Sequence, residues 1–196
     1  MASFDAEQIA NLLKRGENRL RIEQSGRIQV WFSTQIPNEL PVGDKVQYES
    51  IENVQLPHNH FYITTNTIAG GMIYLTHSGP KSMSAGSFIS ISPLNSGKAI
   101  VSFELMESQN NSTKSDEALW VYGVESQENI SFLCKGLTDG LLAPYIGHPL
   151  ADVKIRILAT LTHEIDSSAK AFEFLGKYLM DAMIFELYKQ DWIKKS

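Results

Sequence analysis

Apolar and polar positions alternate through the first two-thirds of the chain, and then the period changes. Ile28, Val30 and Phe32 alternate with Gln29 and Trp31. Val101, Phe103 and Leu105 alternate with Ser102 and Glu104, and Leu119, Val121 and Gly123 with Trp120 and Tyr122. A period of two puts one row of side chains in a core and the other toward solvent or a cavity. Turn residues punctuate these runs at Ser25-Gly26, Pro41-Val42-Gly43-Asp44, Gly70-Gly71, Ser78-Gly79-Pro80 and Asn95-Ser96-Gly97. Short strands at this density predict an antiparallel, cupin-like β-barrel or jelly roll over residues 19–126. The polar stretch Glu107–Glu117 reads as a hairpin loop inside it.

Helical spacing flanks this region. Asp5 and Gln8 form a capping-box pattern, Ile9, Leu12 and Leu13 give an apolar stripe, and Gly16 suits the helix end, so residues 1–18 predict a short helix. Beyond Glu125, residues 127–196 predict a helical segment. Asn129–Leu137 is a short helix and Thr138–Leu150, with its glycines and prolines, a connector. In Ala151–Ile165, Val153, Ile157, Leu161 and Ile165 recur at four-residue steps and predict another helix. Ser167 or Ser168 caps a last one running to about Ile193. The short break between these two helices predicts an antiparallel pair, and the fold class is α+β.

The last helix carries two apolar stripes. Phe172, Leu175, Leu179 and Met183 form one; Phe174, Tyr178, Phe185, Tyr188 and Trp192 lie on a second. One stripe covers the barrel or the preceding helix, and the other needs its own cover. A homodimer interface through Phe174, Tyr178, Phe185, Tyr188 and Trp192 supplies it; burial within the monomer is the plainer alternative.

Composition narrows the function classes. The 196 residues carry a formal charge of −5, with 17 basic residues scattered along the chain, which argues against a wide nucleic-acid surface. A single cysteine, Cys134, excludes an internal disulfide and a cysteine-based zinc site, and points to a reducing compartment. No leader-like or membrane-spanning run is evident, so a cytoplasmic location is expected.

Candidate chemistry is sparse. His58-Asn59-His60 is a His-x-His pair, and on a strand both rings share one face, as two metal ligands would. No acid follows it and no later strand offers a third histidine, so neither a metal nor a cofactor is expected. Cys134 falls on the apolar side of a predicted helix, where a cysteine acts as a small hydrophobe. No Gly-x-Ser-x-Gly elbow and no Walker-type loop occurs, so no catalytic residue is assigned and the chain is expected not to be an enzyme. Trp31, Tyr62 and Tyr74 fall on strand-like runs, and aromatic walls suit small-molecule pockets. With His58 and His60 they make the expected ligand-binding set.

Three stretches together resemble the N-terminal effector-binding and dimerisation domain of AraC-type transcription regulators. His58-Asn59-His60 followed by FYITTNTIAGG resembles that family's His-x-His strand and glycine turn. Lys81–Pro93 resembles its strand–Pro-Gly–strand–Pro-Pro stretch, with Ala85 where proline is usual and Ser87 where aspartate is usual. His148–Gln190 resembles its two-helix dimerisation tail. The resemblance implies a small-molecule-sensing, dimerising domain of a transcription regulator, meeting DNA only through a helix-turn-helix part not present in this chain. A self-assembling structural protein, such as a viral matrix or coat subunit, is the alternative, and a cupin-like metalloenzyme using His58 and His60 the second.

Overall fold

The computed structural model describes residues 28–35, 48–78, 81–106, 113–114, 120–122, 127–142, 147–163 and 165–196. The predicted N-terminal helix, the turns at Ser25-Gly26 and Pro41–Asp44, and most of the Glu107–Glu117 loop lie outside the described residues. The strands are β1 Ile28–Gln35, β2 Tyr48–Gln55, β3 Tyr62–Thr64, β4 Ile68–Ser78, β5 Lys81–Pro93, β6 Ile100–Met106, β7 Thr113–Lys114, β8 Trp120–Tyr122, β9 Val153–His163 and β10 Ile193–Lys195. The helices are α1 Gln127–Leu142 and α2 Ala169–Lys189. The fold is α+β, as expected, but its arrangement differs from the expected barrel.

The main sheet runs β1-β4-β5-β9-β6-β2, with β8 joining β9 beyond β6 and β7 joining β8. Among the described residues β1 and β2 are its edges, so no closed barrel is formed. Nor is the sheet purely antiparallel, because β6 runs parallel to β9. β4 runs straight through Gly70-Gly71, where a turn is expected from the sequence, and pairs with β5 without a register break from Ile68↔Ile91 to Ser78↔Lys81.

The largest correction concerns residues 151–165. The predicted helix is instead β9, the central strand, paired with β5 on one side and with β6 and β8 on the other. Val153, Ile155 and Ile157 are fully buried and alternate with Lys154 and Arg156. Every second step of a period of two is a step of four, so the same residues imitate a helical stripe. A bulge at Leu158, the extra residue opposite the Phe88/Ile89 step, then changes the face that follows. Leu158 and Leu161 pack with Ala69 and Phe88 on the second face of the sheet, away from Val153 and Ile157. Ile165, the last member of the supposed stripe, is 73% exposed in a turn.

Both helices cover the first face. Val101, Phe103, Ile89, Ile91, Met72 and Tyr74 meet Leu133, Leu137, Phe172, Leu175, Leu179 and Met183 in one core. Since β9 inserts between β5 and β6, the residues after 127 share that core and sheet with those before it. The helix pair is α1 with α2, not 151–165 with α2. Gly136 lies against Glu173, and Gly140 against Lys177 and Met180, so contacts advance in the same direction along both helices rather than antiparallel. α1 also runs five residues past the predicted end at Leu137, since its glycines let the α2 backbone approach.

On the second face Lys154 and Arg156 both reach Glu104 of β6, at 2.9 and 2.8 Å. Arg156 also lies over the Tyr48 ring, 4.2 Å from its centroid. Ser168 caps α2, its side chain accepting from the Ala171 amide. Four residues short of the expected Ile193, α2 ends at Lys189, and Asp191 takes the left-handed conformation (φ 56°) that turns the chain into β10.

Candidate functional site: a braced loop end

Three loops and one short strand meet at one end of the sheet. The segment after β2 is tied to the loop before β6 by the Leu56 amide, which donates to the Ala99 carbonyl at 2.8 Å. The Gln55 side-chain amide donates to the same oxygen at 3.0 Å. β3 is tied to the segment before β9: the Tyr62 amide donates to the Pro149 carbonyl, and the Ala151 amide donates to the Tyr62 carbonyl. β10 closes the other edge of β3, pairing Lys195 with Tyr62 and Ile193 with Thr64. The Ser196 amide adds a bond to the Phe61 carbonyl.

Asp152 is the clamp between these loops. It is buried and left-handed (φ 55°). One carboxylate oxygen accepts from the Ser96 amide at 2.8 Å and its hydroxyl at 2.6 Å; the other accepts from the Gly97 amide at 2.9 Å. Burial alone would raise its pKa, but the bonds from Ser96 and Gly97 outweigh burial and hold the carboxyl below its ordinary value. Asn95 and Gly97, in the clamped loop, are also left-handed, at φ 58° and 71°. Strain of this kind persists only where surrounding bonds enforce it. Residues 95–98 are nevertheless exposed.

The expected ligand-binding residues do not converge in one cavity. His58-Asn59-His60 is an exposed bend after β2, not part of a strand, because the chain turns there to start β3. His60 and Tyr62 do come together, each beside His148, which is outside the expected set. His148 places its ring centroid 6.3 Å from that of His60 and 5.9 Å from that of Tyr62. Tyr74 is buried on the helix face of β4, stacked 5.8 Å from Tyr178 and 6.2 Å from Phe174. Trp31 pairs with Ile73 in the β1–β4 register, and its side chain lies outside what the structure describes.

Of the expected dimer-interface residues, Phe174 and Tyr178 are half-buried within the monomer against Tyr74. Trp192 is half-buried as well, and its indole N–H donates to the Asn66 side-chain oxygen at 3.0 Å once that amide is turned to satisfy both its groups. Phe185 and Tyr188 alone of the five are open, at 46% and 63% exposure. Cys134 is fully buried, and burial pushes its thiol up to about 12, which leaves it an unreactive core group. Among the described residues no three His, Cys, Asp or Glu side chains converge as a metal site requires. His163 ends β9.

No family model matches the chain, and no curated protein matches it significantly. Among solved structures, ttk003000868 from Thermus thermophilus aligns with a TM-score of 0.49 at 15% identity. The alignment covers 63% of this chain and 16% of that one, a likeness too low to carry fold or function. No helix among the described residues is long and apolar enough to cross a membrane.

Proposed function

We propose that this chain works by binding a partner through its braced loop end, and not by catalysis. The observation that carries the reading is the Asp152 clamp. A buried carboxylate and left-handed backbone at Asn95, Gly97 and Asp152 hold a loop whose residues 95–98 remain exposed. Exposed loops on a rigid scaffold are where recognition concentrates. The exposed groups there, His58, Asn59, His60, Asn95 and Lys98, are polar, and the buried carboxylate of Asp152 is already bonded to Ser96 and Gly97. The effector-in-a-barrel version of sensing has less support, since the described sheet is open and its candidate residues are dispersed.

The test compares variants. A His58→Ala/Asn59→Ala/Lys98→Ala triple variant, none of whose residues is left-handed, should lose the partner that the parent chain captures and cross-links. A Phe185→Ser/Tyr188→Ser variant should keep it. Equal capture by the triple variant would remove the loop end from the function.

A dimerising sensor domain is the second reading. It is favoured by Phe185 and Tyr188, three residues apart and exposed on α2. A second copy covering that patch would meet the expectation drawn from the apolar stripe, with a small effector acting on the dimer geometry. A monomeric chain at micromolar concentration would exclude it.

A further inference from the structure

The loop end brings together four hydrogen-bond donors from three chain segments. The ring of His60 follows β2, Tyr62 stands on β3, and His148 precedes β9, with the distances given above. Lys195 of β10 is the register partner of Tyr62, and cross-strand partners point to the same face of a sheet. The phenol of Tyr62 and the ammonium of Lys195 therefore lie on one side of the β3–β10 ribbon, the side on which His148 meets Tyr62. His60 and Lys195 are exposed, and Tyr62 and His148 are partly so.

Among the described residues no carboxylate pairs with His60, His148 or Lys195, whereas Glu104, Glu173 and Glu186 each take a lysine or arginine elsewhere. Asp152, the acid closest in sequence to His148, spends both oxygens on Ser96 and Gly97. The backbone that carries the four groups is fixed from both sides, by residues 149–151 and by β10. Donors with no carboxylate among them suit a compact anion with several acceptor oxygens.

We propose that His60, Tyr62, His148 and Lys195 form a binding site for a phosphate monoester. This rests on the reading of the loop end as a recognition surface and names what it recognises. A monoester dianion places three acceptor oxygens on one atom. A phosphodiester polymer is the poorer match: its many charges would run over a chain of net charge −5, whereas one phosphate senses only the local donors.

The experiment follows the imidazole signals of His60 and His148 by NMR. The probes are inorganic phosphate, O-phosphoserine and a short single-stranded oligoribonucleotide, each against chloride at matched ionic strength. Both rings should shift saturably with phosphate and phosphoserine, and not with chloride. In Lys195→Gln, followed by the two rings, and in His60→Gln/His148→Gln, followed by the backbone amides of Tyr62 and Lys195, the apparent affinity should fall about tenfold, with the β5 and β9 amide signals unmoved as evidence that the fold survives. Unchanged rings, equal shifts with chloride, or binding of the oligonucleotide alone would each overturn the proposal. No saturable phosphate shift in the parent chain, with partner capture still dependent on His58, Asn59 and Lys98, would sink the phosphate site and leave the recognition reading standing. Capture indifferent to the loop end, with phosphate still bound, would do the reverse.

Discussion

Glycine has two uses in this chain, and substitution separates them. A Cβ on Gly136 would stand 2.0 Å from the Glu173 carbonyl oxygen, and one on Gly176 would stand 2.5 Å from that of Leu133. Both obstacles are backbone, so neither side chain rotation nor local repacking relieves them; the helices have to part. Gly136→Ala should therefore cost about 3 kcal/mol or more, the upper end of overpacking. Gly97 meets nothing within 4 Å, and only its φ of 71° disfavours a side chain. Gly97→Ala should cost about 1 to 2 kcal/mol. Urea denaturation of both variants checks the order, and a larger loss at Gly97 would show that the helix contact is looser than drawn. Asp152 gives a residue-scale test in pH. Its folded pKa lies below the unfolded value of about 3.9. The stabilisation is therefore present above that value and disappears as pH falls through the lower folded one. Asp152→Asn keeps a residue that tolerates left-handed backbone but removes the charge. It should lose about 1 to 3 kcal/mol near pH 7 and flatten the acid limb of the stability profile. An unchanged slope between pH 5 and 2 would mean that the clamp does not depend on ionisation.

At the scale of elements, the strands with simple alternation were legible and those with mixed signals were not. Val101 and Phe103 point into the core and Ser102 and Glu104 away from it, as their spacing predicts. β9 was hidden because its bulge spreads apolar residues over both faces, and because a central strand resembles a buried helix in composition. A better signal was present: Val153, Lys154, Ile155, Arg156 and Ile157 alternate strictly, and three of the five are β-branched. The end of α1 was obscured by Gly136 and Gly140, whose purpose lies in α2 and is not visible locally. The candidate site was half legible. His60 and Tyr62 were singled out, but His148 is distant in sequence, and Asp152 carries no motif. β10 makes the elemental prediction. Ending the chain after Asp191 removes the pairing with β3 and the Ser196–Phe61 bond while leaving the main sheet intact. The Thr65 amide, which donates to the Trp192 carbonyl, should exchange faster in that variant, with those of β5 and β9 unchanged. Uniformly faster exchange would make β10 part of the global fold instead of a local brace.

At the scale of the whole molecule, the open question is what meets the outer side of α2. The sequence presents five apolar residues on that side, and the structure divides them. Phe174 and Tyr178 turn against Tyr74, Trp192 is held by Asn66, and Phe185 and Tyr188 face outward at the far end of the helix. The patch left for a second copy is thus smaller than the stripe implied, and stable dimers bury roughly 800 Å² per partner. If α2 pairs protomers, Phe185 and Tyr188 sit at the centre of the contact, where aromatic side chains carry most of the binding energy. Sedimentation then gives a dimer at micromolar concentration for the parent chain and a monomer for Phe185→Ser/Tyr188→Ser. Tyr188 is the more exposed of the two, so Tyr188→Ser alone should unfold at the same urea concentration as the parent when measured well below the dissociation constant. A parent chain that sediments as a monomer throughout would leave the two aromatics as ordinary exposed side chains, and the loop end as the surface through which this molecule meets its partner.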